Sequence, residues 1–599
     1  MTAHGATSSA THPLPTSRPR LAAALRRSLA QGYGAADLRA DLLAGLTVGI
    51  VALPLAMALA IASGVPPQQG LYTAIVAGLA IALLGGSKVQ VSGPTAAFVV
   101  ILAPIAARHG LGGLAVATLL AGLLLTAMGL ARFGRFVEFV PHPVTTGFTA
   151  GIALVIGVLQ LKDFLGLVPG VLPPHFVDRA VALARALPTA RWSEALVGAV
   201  TLAVLLVWPS VSKRLPAPLV ALGAGTAVAV ALAALVPGAE VATIASRFRY
   251  VVDGVERAGI PQLPPLPGLP WRLPGADGAP LGLTFALVRE LVPPAFAIAM
   301  LGAIESLLSA VVADGMTGKK HDPDAELVAQ GIGNVLSPLF GGIAATGAIA
   351  RTATNVRAGA RSPVAAVVHS LFVLAAVVAL APALGHLPMA ALAALLLQVA
   401  WRMAEAKHFA HMLRVAPRPD ILVLLSCFGL TVLFDMVVAV TVGIVFAALL
   451  FMQRMAEVSR AELINVSELD LDEPMPEGVL FYEIAGPLFF GAANKAMTTL
   501  RTVARKGVKV VVLDLRSVPI VDATGLVALD STVGKLRHAG VVVVLAGVQP
   551  QPLRALAKAG WRNVPGSLAI GRDFRKALAA ARAYALGDPE AASLHATRS

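Results

Sequence analysis

The sequence predicts an α-helical, polytopic membrane protein that ends in a small α/β domain. The chain has 599 residues, of which 57% are hydrophobic and only 13% charged, whereas soluble proteins average about 25% charged residues. Apolar runs of spanning or re-entrant length follow one another from about residue 42 to residue 455. From about residue 473 onward, strand and helix patterns alternate, which is typical of a small α/β domain.

The apolar runs fall into two sets of seven segments, at about 42–236 and 293–454. The stretch between them, 237–280, is rich in Pro and Gly and too polar to span. In each set the third segment is short and follows a small β-prone piece, at 88–100 and at 341–355. An odd number of segments inverts one repeat relative to the other. The sequence therefore predicts a seven-plus-seven inverted repeat with a binding site near the membrane midplane.

Changes in composition divide the chain into five regions. We expect a cytoplasmic, largely disordered N-terminus at 1–38, because its first part is rich in Ser, Thr and Pro. A transmembrane domain follows at 39–456, then a linker at 457–473, the α/β domain at 474–586 and a disordered tail at 587–599. Lys and Arg concentrate in the loops of one side, so the positive-inside rule places both termini in the cytoplasm.

The α/β domain has a predicted order of strands and helices. Short runs rich in β-branched residues predict the strands, and amphipathic runs predict the helices. The predicted strands cover 479–484, 509–515 and 541–548, and the predicted helices cover 494–505, 524–537 and 551–558.

Composition also excludes several classes of function. The formal charge of +14 is explained by cationic loops and a basic C-terminal domain, so no nucleic-acid partner is predicted. The chain has one cysteine, Cys427, in an apolar run, so neither a disulfide framework nor a cysteine metal site is available. No nucleophile–base arrangement, phosphate loop or metal cluster is recognisable. We therefore predict a protein that is not an enzyme and has no cofactor.

The two short third segments predict a pair of half-helices that begin near the midplane. A helix N-terminus carries partial positive charge and free N–H groups, so two facing starts favour an anion. Arg351, one turn into the second start, adds a full positive charge. Capping by Ser92, tight packing by Gly347 and anchoring of Arg351 at the cytoplasmic edge are the alternatives. The two starts read Ser92-Gly93-Pro94-Thr95-Ala96 and Gly347-Ala348-Ile349.

Glu305 is the only ionisable residue of the run Pro293 to Ala313. A charge near a bilayer centre costs at least about 2.5–3.5 kcal/mol on insertion scales, so such residues are retained for function. Glu305 either pairs with Arg351 or loads and releases a proton. Ser309, one turn along, shares its helix face.

Five motifs of this chain resemble those of the sulfate permease (SulP) family of anion transporters. They are VGIVALPLAMALA, GSKVQVSGPTAAF, ESLLSAVVADGMTGKKHDPDAEL, QGIGNVLSPLFGGIAATGAIARTATNVRAGARSP and FDMVVAVTVGI. Within the family, these motifs most resemble those of the bacterial aerobic four-carbon dicarboxylate transporter. The resemblance extends from about residue 39 over nearly the whole chain. It implies core and gate domains that move against each other, and a C-terminal STAS domain.

The resemblance also implies site residues. Substrate contacts fall at Leu55, Leu59, Thr95, Ala96, Ala348 and Ala350, and ion coupling falls at Glu305. Together with the helix starts, the predicted substrate site comprises Leu55, Leu59, Ser92, Thr95, Ala96, Gly347, Ala348, Ile349, Ala350 and Arg351, and the coupling site comprises Glu305 and Ser309.

Departures from the family pattern narrow the expected substrate and coupling ion. Sulfate-transporting members commonly carry Gln where this chain has Leu55, which favours a larger, partly apolar substrate. Sodium-coupled bicarbonate members carry Asp at the position of Glu305 and Thr at those of Ser309 and Ile349, and they lack Arg351. Because sodium requires several oxygen ligands, these changes favour a proton.

We therefore predict a secondary transporter that takes up four-carbon dicarboxylates (succinate, fumarate, aspartate) with protons by alternating access. A symporter or exchanger of sulfate, bicarbonate or chloride is the alternative, and a membrane-anchored STAS regulatory protein is an alternative of another class. The resemblance implies a homodimer in the bacterial inner membrane, with a possible cytoplasmic protein partner for the STAS domain. Ala523 occupies the phosphoacceptor position of related STAS proteins, so no phospho-switch is predicted, and Thr524 is expected to cap a helix.

Overall fold

The computed structural model describes most of the chain, in two compact units. The units are Met1–Val445 and Phe446–Ser599, so the division falls about ten residues before the predicted boundary at 456. The described residues are 21–134, 141–170, 173, 175–212, 215–252, 254–434, 438–439, 441–443, 445–446, 448–450, 452, 460–464, 474–489 and 507–588.

The first repeat of the first unit is helical, apart from one short strand. Its elements are α1 (Ala23–Ala30), α2 (Ala35–Ala62), α3 (Pro67–Leu84), β1 (Ser92–Gly93), α4 (Ala96–Leu130), α5 (His142–Phe164), α6 (Phe176–Arg185), α7 (Trp192–Val211) and α8 (Ala217–Leu235). Gly110 interrupts α4 with a φ of 68°, a conformation that favours glycine. The two halves of α4 therefore serve as two of the seven segments.

The polar stretch between the repeats forms short elements, as its composition requires. It contains α9 (Ile244–Arg247) and a hairpin of β2 (Arg249–Val252) and β3 (Val255–Ala258). The second repeat comprises α10 (Phe285–Thr317), α11 (Pro323–Leu339), β4 (Thr346–Gly347), α12 (Ile349–Arg357), α13 (Val364–Gly385), α14 (Met389–Ala404), α15 (Ala406–Val415) and α16 (Arg418–Leu433).

Nine helices of the described residues are long and apolar enough to cross a membrane, with α14 and α15 counted as one. Of these helices, α3 and the combined α14 and α15 have the lowest hydropathy. α12 has only nine residues and is far too short to span a membrane, which agrees with the prediction of a short third segment. Only parts of the last predicted segment, 437–454, lie within the described residues.

Helix packing separates the first unit into two groups. α4 packs against α10 and α11, and α13 packs against α2 and α3. α5 packs against α14 and α16, whereas α7 packs against α8 and α14. The first four segments of both repeats thus form a core, and the described remaining segments form a gate, as the family resemblance implies.

The predicted disorder of residues 1–38 is wrong for residues 21–38. This part contains α1 and the first turn of α2, and Ala24 and Ser28 of α1 are buried. The backbone N–H of Ala22 donates to Leu84 O at 2.8 Å, so α1 is attached to the end of α3. The buried residues of α1 are the small residues Ala23, Ala24 and Ser28. Residues 1–20 lie outside the described part.

The second unit is a five-stranded sheet with helices on its two faces. The strands are β5 (Arg460–Ile464), β6 (Val479–Ala485), β7 (Val510–Asp514), β8 (Val542–Ala546) and β9 (Leu568–Ile570), in that order across the sheet. β5 runs antiparallel to β6 and the others are parallel. Its described helices are α17 (Ala523–His538), α18 (Pro550–Lys558) and α19 (Phe574–Leu586).

Several predictions for this unit need correction. The predicted linker at 457–473 contains β5, which pairs with β6 and therefore belongs to the sheet. Strand β9 and helix α19 were not predicted, and the predicted helix at 494–505 lies outside the described residues. Thr524 does not cap α17, because the side chain of Asp522 accepts the N–H of Gly525 at 2.6 Å. Asp522 is the capping residue.

Candidate functional site

Two short strands from opposite repeats meet in the core. Ser92 is paired with Gly347 and Gly93 with Thr346 in an antiparallel arrangement. α4 begins three residues after β1 and α12 begins two residues after β4, so the pairing brings both helix starts together. The expected meeting of the two half-helix starts is therefore present in the structure.

The two helix starts lack side-chain caps. Thr95 is the N-cap residue of α4 and Ala348 that of α12, and neither side chain accepts a hydrogen bond from its helix. Free N–H groups at a helix start attract an anion. Pro94 precedes the N-cap residue and therefore lies outside the first turn of α4. Ser92 does not act as a cap either.

Glu305 lies within α10 and is partly buried. Its Oε2 atom accepts a hydrogen bond of 2.9 Å from Thr95 Oγ1. The hydroxyl of Thr95 thus connects the start of α4 to the carboxylate. Among the ion pairs of the described residues there is none between Glu305 and Arg351. The structure therefore does not contain the direct ion pair that was one of the two alternatives for Glu305.

Arg351 is buried, with 2% of its surface exposed, in the first turn of α12. Its Nη2 atom donates to the carbonyl oxygen of Pro94, and its Nη1 atom is buried without a hydrogen-bond partner among the described residues. The alternative that places Arg351 at the membrane edge does not fit this burial, and Arg361 instead forms an ion pair with Asp37 at 2.8 Å.

Gly93 permits the close approach of Arg351 to β1. A Cβ atom at Gly93 would lie 2.6 Å from Arg351 Nη1, which is shorter than real Cβ contacts. Gly347 is comparably enclosed, because a Cβ atom there would lie 2.0 Å from Gln90 Nε2. The absence of a side chain at Gly93 and Gly347 therefore allows close packing around the strand pair. At Gly93 it leaves room for the guanidinium of Arg351.

The remaining predicted residues surround these groups. Ala96 and Ala348 are buried, Ile349 is partly buried and Ala350 is exposed. Ser309 is buried and donates to Thr352 Oγ1 at 3.2 Å, which connects α10 to α12. Its hydroxyl is therefore engaged within the core.

Leu59 and Leu55 lie on α2, the former buried and the latter partly buried. Leu55 packs against a cluster of Leu205, Ala221 and Leu395. These three residues belong to α7, α8 and α14. Leu55 therefore lies where a core helix contacts the gate.

A row of polar side chains on α11, not found from the sequence, holds both strands. Glu326 accepts from the N–H groups of Gly86 and Ser87 at 2.9 and 3.1 Å, and from Gln90 and Gln330 at 3.1 and 3.0 Å. These bonds hold the loop that leads into β1.

Gln330 and Asn334 continue the row at intervals of four residues. Gln330 Nε2 donates to Ser92 Oγ at 3.0 Å. Asn334 donates to Ala345 O and accepts from Ala345 N, both at 2.8 Å. Because Glu326, Gln330 and Asn334 are four residues apart, they lie on one face of α11. Three polar residues at this spacing in an apolar segment are the sequence signal from which the row could have been predicted.

The described features correspond to those of known transporters. The model of the "Sulfate permease family" matches residues 38–427, and that of the "STAS domain" matches residues 471–577. The chain therefore belongs to the sulfate permease family. It is a multi-pass membrane protein and an anion transporter with a C-terminal STAS domain.

Individual relatives cover most of the chain. A putative sulfate transporter of Bacillus subtilis, YvdB, is 39% identical over 500 residues, with 84% of this chain and 89% of the relative covered. The bicarbonate transporter BicA of a Synechocystis strain is 30% identical over 524 residues, with 83% and 86% covered.

Solved structures agree with this assignment. The transmembrane domain of a cyanobacterial BicA superimposes with a TM-score of 0.56 at 28% identity, with 69% of this chain and 98% of that domain covered. Murine Slc26a9 superimposes with a TM-score of 0.78 at 19% identity over 90% of both chains, which supports the fold alone.

Proposed function

We propose that the chain couples the movement of a small anion to a proton carried by Glu305. The hydrogen bond from Thr95 to Glu305 is the observation that carries this proposal. An anion at the two helix starts would lie beside Thr95 and Arg351, while Glu305 contacts the same helix start. Binding of the anion and protonation of the carboxylate would then favour each other, because two negative charges in one site repel.

The packing supports alternating access as the mechanism. β1, β4, Glu305 and Arg351 belong to core elements, whereas Leu205 and Leu395, which contact Leu55, belong to gate helices. If the core moves against the gate, the contact of Leu55 opens on one side of the membrane. The α11 row keeps both strands attached to the core during that movement.

The proposed substrate is a four-carbon dicarboxylate in its singly protonated form. Leu55 offers an apolar surface that suits a carbon backbone better than a compact inorganic ion. An inside-negative potential opposes anion entry by about 2.3 kcal/mol per charge per 100 mV. One carboxylate carries one proton per cycle, so a monoanion enters without net charge and a dianion does not.

Sulfate or bicarbonate is the second candidate substrate. The names of the relatives favour it, because YvdB is a putative sulfate transporter and BicA a bicarbonate transporter. Arg351 and the two helix starts suit any small oxyanion. The choice between the two classes therefore depends on the size and polarity of the space beside Leu55.

Uptake into proteoliposomes under an imposed pH gradient tests both parts of the proposal. Radiolabelled succinate, fumarate, sulfate and bicarbonate would be compared at external pH 5.5 and 7.5. We expect uptake of the true substrate to rise at the acidic pH and to lose this response in Glu305→Gln. The matched control is Glu290→Gln on the same helix, whose side chain is exposed and forms an ion pair with Arg108.

Uptake that is independent of pH in the native protein would contradict proton coupling. An unchanged pH response in Glu305→Gln would place the proton elsewhere. A panel in which only sulfate or bicarbonate is taken up would replace the dicarboxylate by the second candidate.

We further propose a homodimer in the bacterial inner membrane with both termini in the cytoplasm. In that orientation the STAS domain is available to a cytoplasmic protein partner. A purely regulatory membrane protein is the competing function of another class, and it predicts that Arg351→Gln leaves regulation intact while transport is absent. Cross-linking of single-cysteine variants in native membranes tests the dimer and the orientation together.

A further inference from the structure

A cavity of about 320 Å³ lies where the end of α5, the start of α7, the start of α14 and the segment around α9 meet. Its size is at the lower end of the range for small-ligand sites. Its lining includes Lys162, Asp163, Arg191, Glu194 and Arg247. No lining residue belongs to α4, α10 or α12, so the cavity is separate from the candidate transport site.

The lining of this cavity carries more positive than negative charge. Arg247 forms an ion pair with Asp163 at 2.7 Å. Among the residues that the structure describes, neither Lys162 nor Arg191 forms an ion pair. Three cations and two carboxylates leave a net charge of +1 in the cavity. This charge favours a bound monoanion.

Glu194 adds a second requirement for a ligand. The residue is 2% exposed, and its Oε1 atom accepts from the N–H of Ala242 at 2.7 Å. Its Oε2 atom is buried and has no hydrogen-bond partner among the described residues. Because a buried acceptor without a donor is unfavourable, the group that fills this cavity should supply an N–H or O–H.

The walls around Glu194 are held by backbone contacts. The N–H of Met389 donates to Ala242 O at 2.8 Å, and the N–H of Ile244 donates to Leu387 O at 3.1 Å. Gly166, with a φ of 63°, approaches Glu194 so closely that a Cβ atom would lie 2.6 Å from Glu194 Cγ. The cavity is thus formed in the protein before any ligand binds.

We propose that this cavity binds a small anion that also carries a hydrogen-bond donor, such as hydrogencarbonate, at a site distinct from the transport site. Lys162 and Arg191 would contact the charge, and Glu194 Oε2 would accept the hydroxyl. Sulfate offers no donor and would oppose the Glu194 carboxylate with two negative charges. The cavity should therefore prefer hydrogencarbonate to sulfate.

Glu194→Gln provides a sharp test of this preference. The N–H of Ala242 needs an acceptor, so the amide oxygen of the glutamine stays at the Oε1 position and its NH₂ group takes the place of Oε2. The substitution converts an acceptor into a donor and removes a negative charge. The preferred anion should then change from hydrogencarbonate to sulfate.

Calorimetric titration of the purified full-length protein at pH 8 measures this preference. Arg351→Gln serves as the background, so that the transport site does not contribute. We expect hydrogencarbonate to bind at least tenfold more tightly than sulfate, and Glu194→Gln to reverse this order. Arg191→Gln should weaken both anions at least fivefold, and Glu240→Gln, which lies outside the cavity lining, should change neither.

Three outcomes would overturn the proposal. In the first, Arg351→Gln abolishes hydrogencarbonate binding, which assigns all binding to the transport site. In the second, Glu194→Gln leaves the order of affinities unchanged. In the third, Arg191→Gln leaves both affinities unchanged, and this variant decides the matter if Glu194→Gln does not fold. The proposed transport activity is measured separately by uptake, so its failure is distinguishable.

Discussion

Thr95 donates a hydrogen bond of 2.9 Å to Glu305 across 210 positions of the sequence. Thr95 is the N-cap residue of α4, at a helix start where an anion is expected. Glu305 is the residue of α10 to which we assign the proton. The hydroxyl group of Thr95 therefore connects the proposed anion site to the proposed proton carrier.

Thr95→Val tests the coupling through this hydroxyl. Valine keeps the shape and removes the donor, and a hydrogen bond to a charged group contributes about 1.5–3 kcal/mol. Without the donor the ionised carboxylate is less favourable, so protonation occurs at higher pH. We expect the midpoint of the pH dependence of uptake to move to higher pH by about one to two units, since about 1.4 kcal/mol corresponds to one unit.

The matched control for Thr95→Val is Thr118→Val. Thr118 is also buried on α4, but its hydroxyl donates only to Leu114 O of the same helix, at 2.8 Å. This control should keep the native midpoint. Equal shifts in both variants would mean that the effect comes from packing of α4 and not from Glu305.

Gly93→Ala is expected to weaken anion binding. The new Cβ atom would lie 2.6 Å from Arg351 Nη1, so the guanidinium has to move away from β1. We expect the KM for the transported anion to rise at least tenfold. Gly157→Ala on α5 meets no atom within 4 Å and should leave transport unchanged. A native KM in Gly93→Ala would show that Arg351 does not contact the anion from this position.

Asn334→Leu tests the α11 row. Leucine is similar in size but makes neither bond to Ala345, so a buried N–H and a buried C=O lose their partners. Each unpaired group costs about 1–3 kcal/mol, and we expect a clearly lower melting temperature together with loss of uptake. Ser337→Ala removes one bond, to Ile343 O at 2.7 Å, and should have a smaller effect. An undiminished melting temperature in Asn334→Leu would argue against the row as a support for β4.

Asp522→Ala should expose the first turn of α17. Loss of an N-cap costs about 1 kcal/mol, so hydrogen exchange of the amides in this turn should accelerate about fivefold. Thr524→Ala should leave exchange nearly unchanged, because Asp522 and not Thr524 accepts the N–H of Gly525. Mass spectrometry of the full-length protein measures both. Faster exchange in Thr524→Ala than in Asp522→Ala would reverse the assignment of the cap.

Much of the candidate site was predictable because its signals are local. Ser92 to Ala96 and Gly347 to Ile349 stand at interruptions of apolar segments, and Glu305 is the single charge of its run. Such patterns are read within one segment. The partner of Arg351 and the partners of Glu326 in the loop before β1 were not predictable, since they lie more than 230 positions away in the sequence.

The sequence by itself determined the class of this protein. Hydropathy and charge are properties of short segments, so they define a helical membrane domain, two repeats and an α/β domain without any knowledge of contacts. Tertiary structure alone decided that Ser92 pairs with Gly347, that Pro94 and not Glu305 is the hydrogen-bond partner of Arg351, and that β5 belongs to the sheet. Those facts depend on which distant segments pack together, and packing is a property of the folded chain.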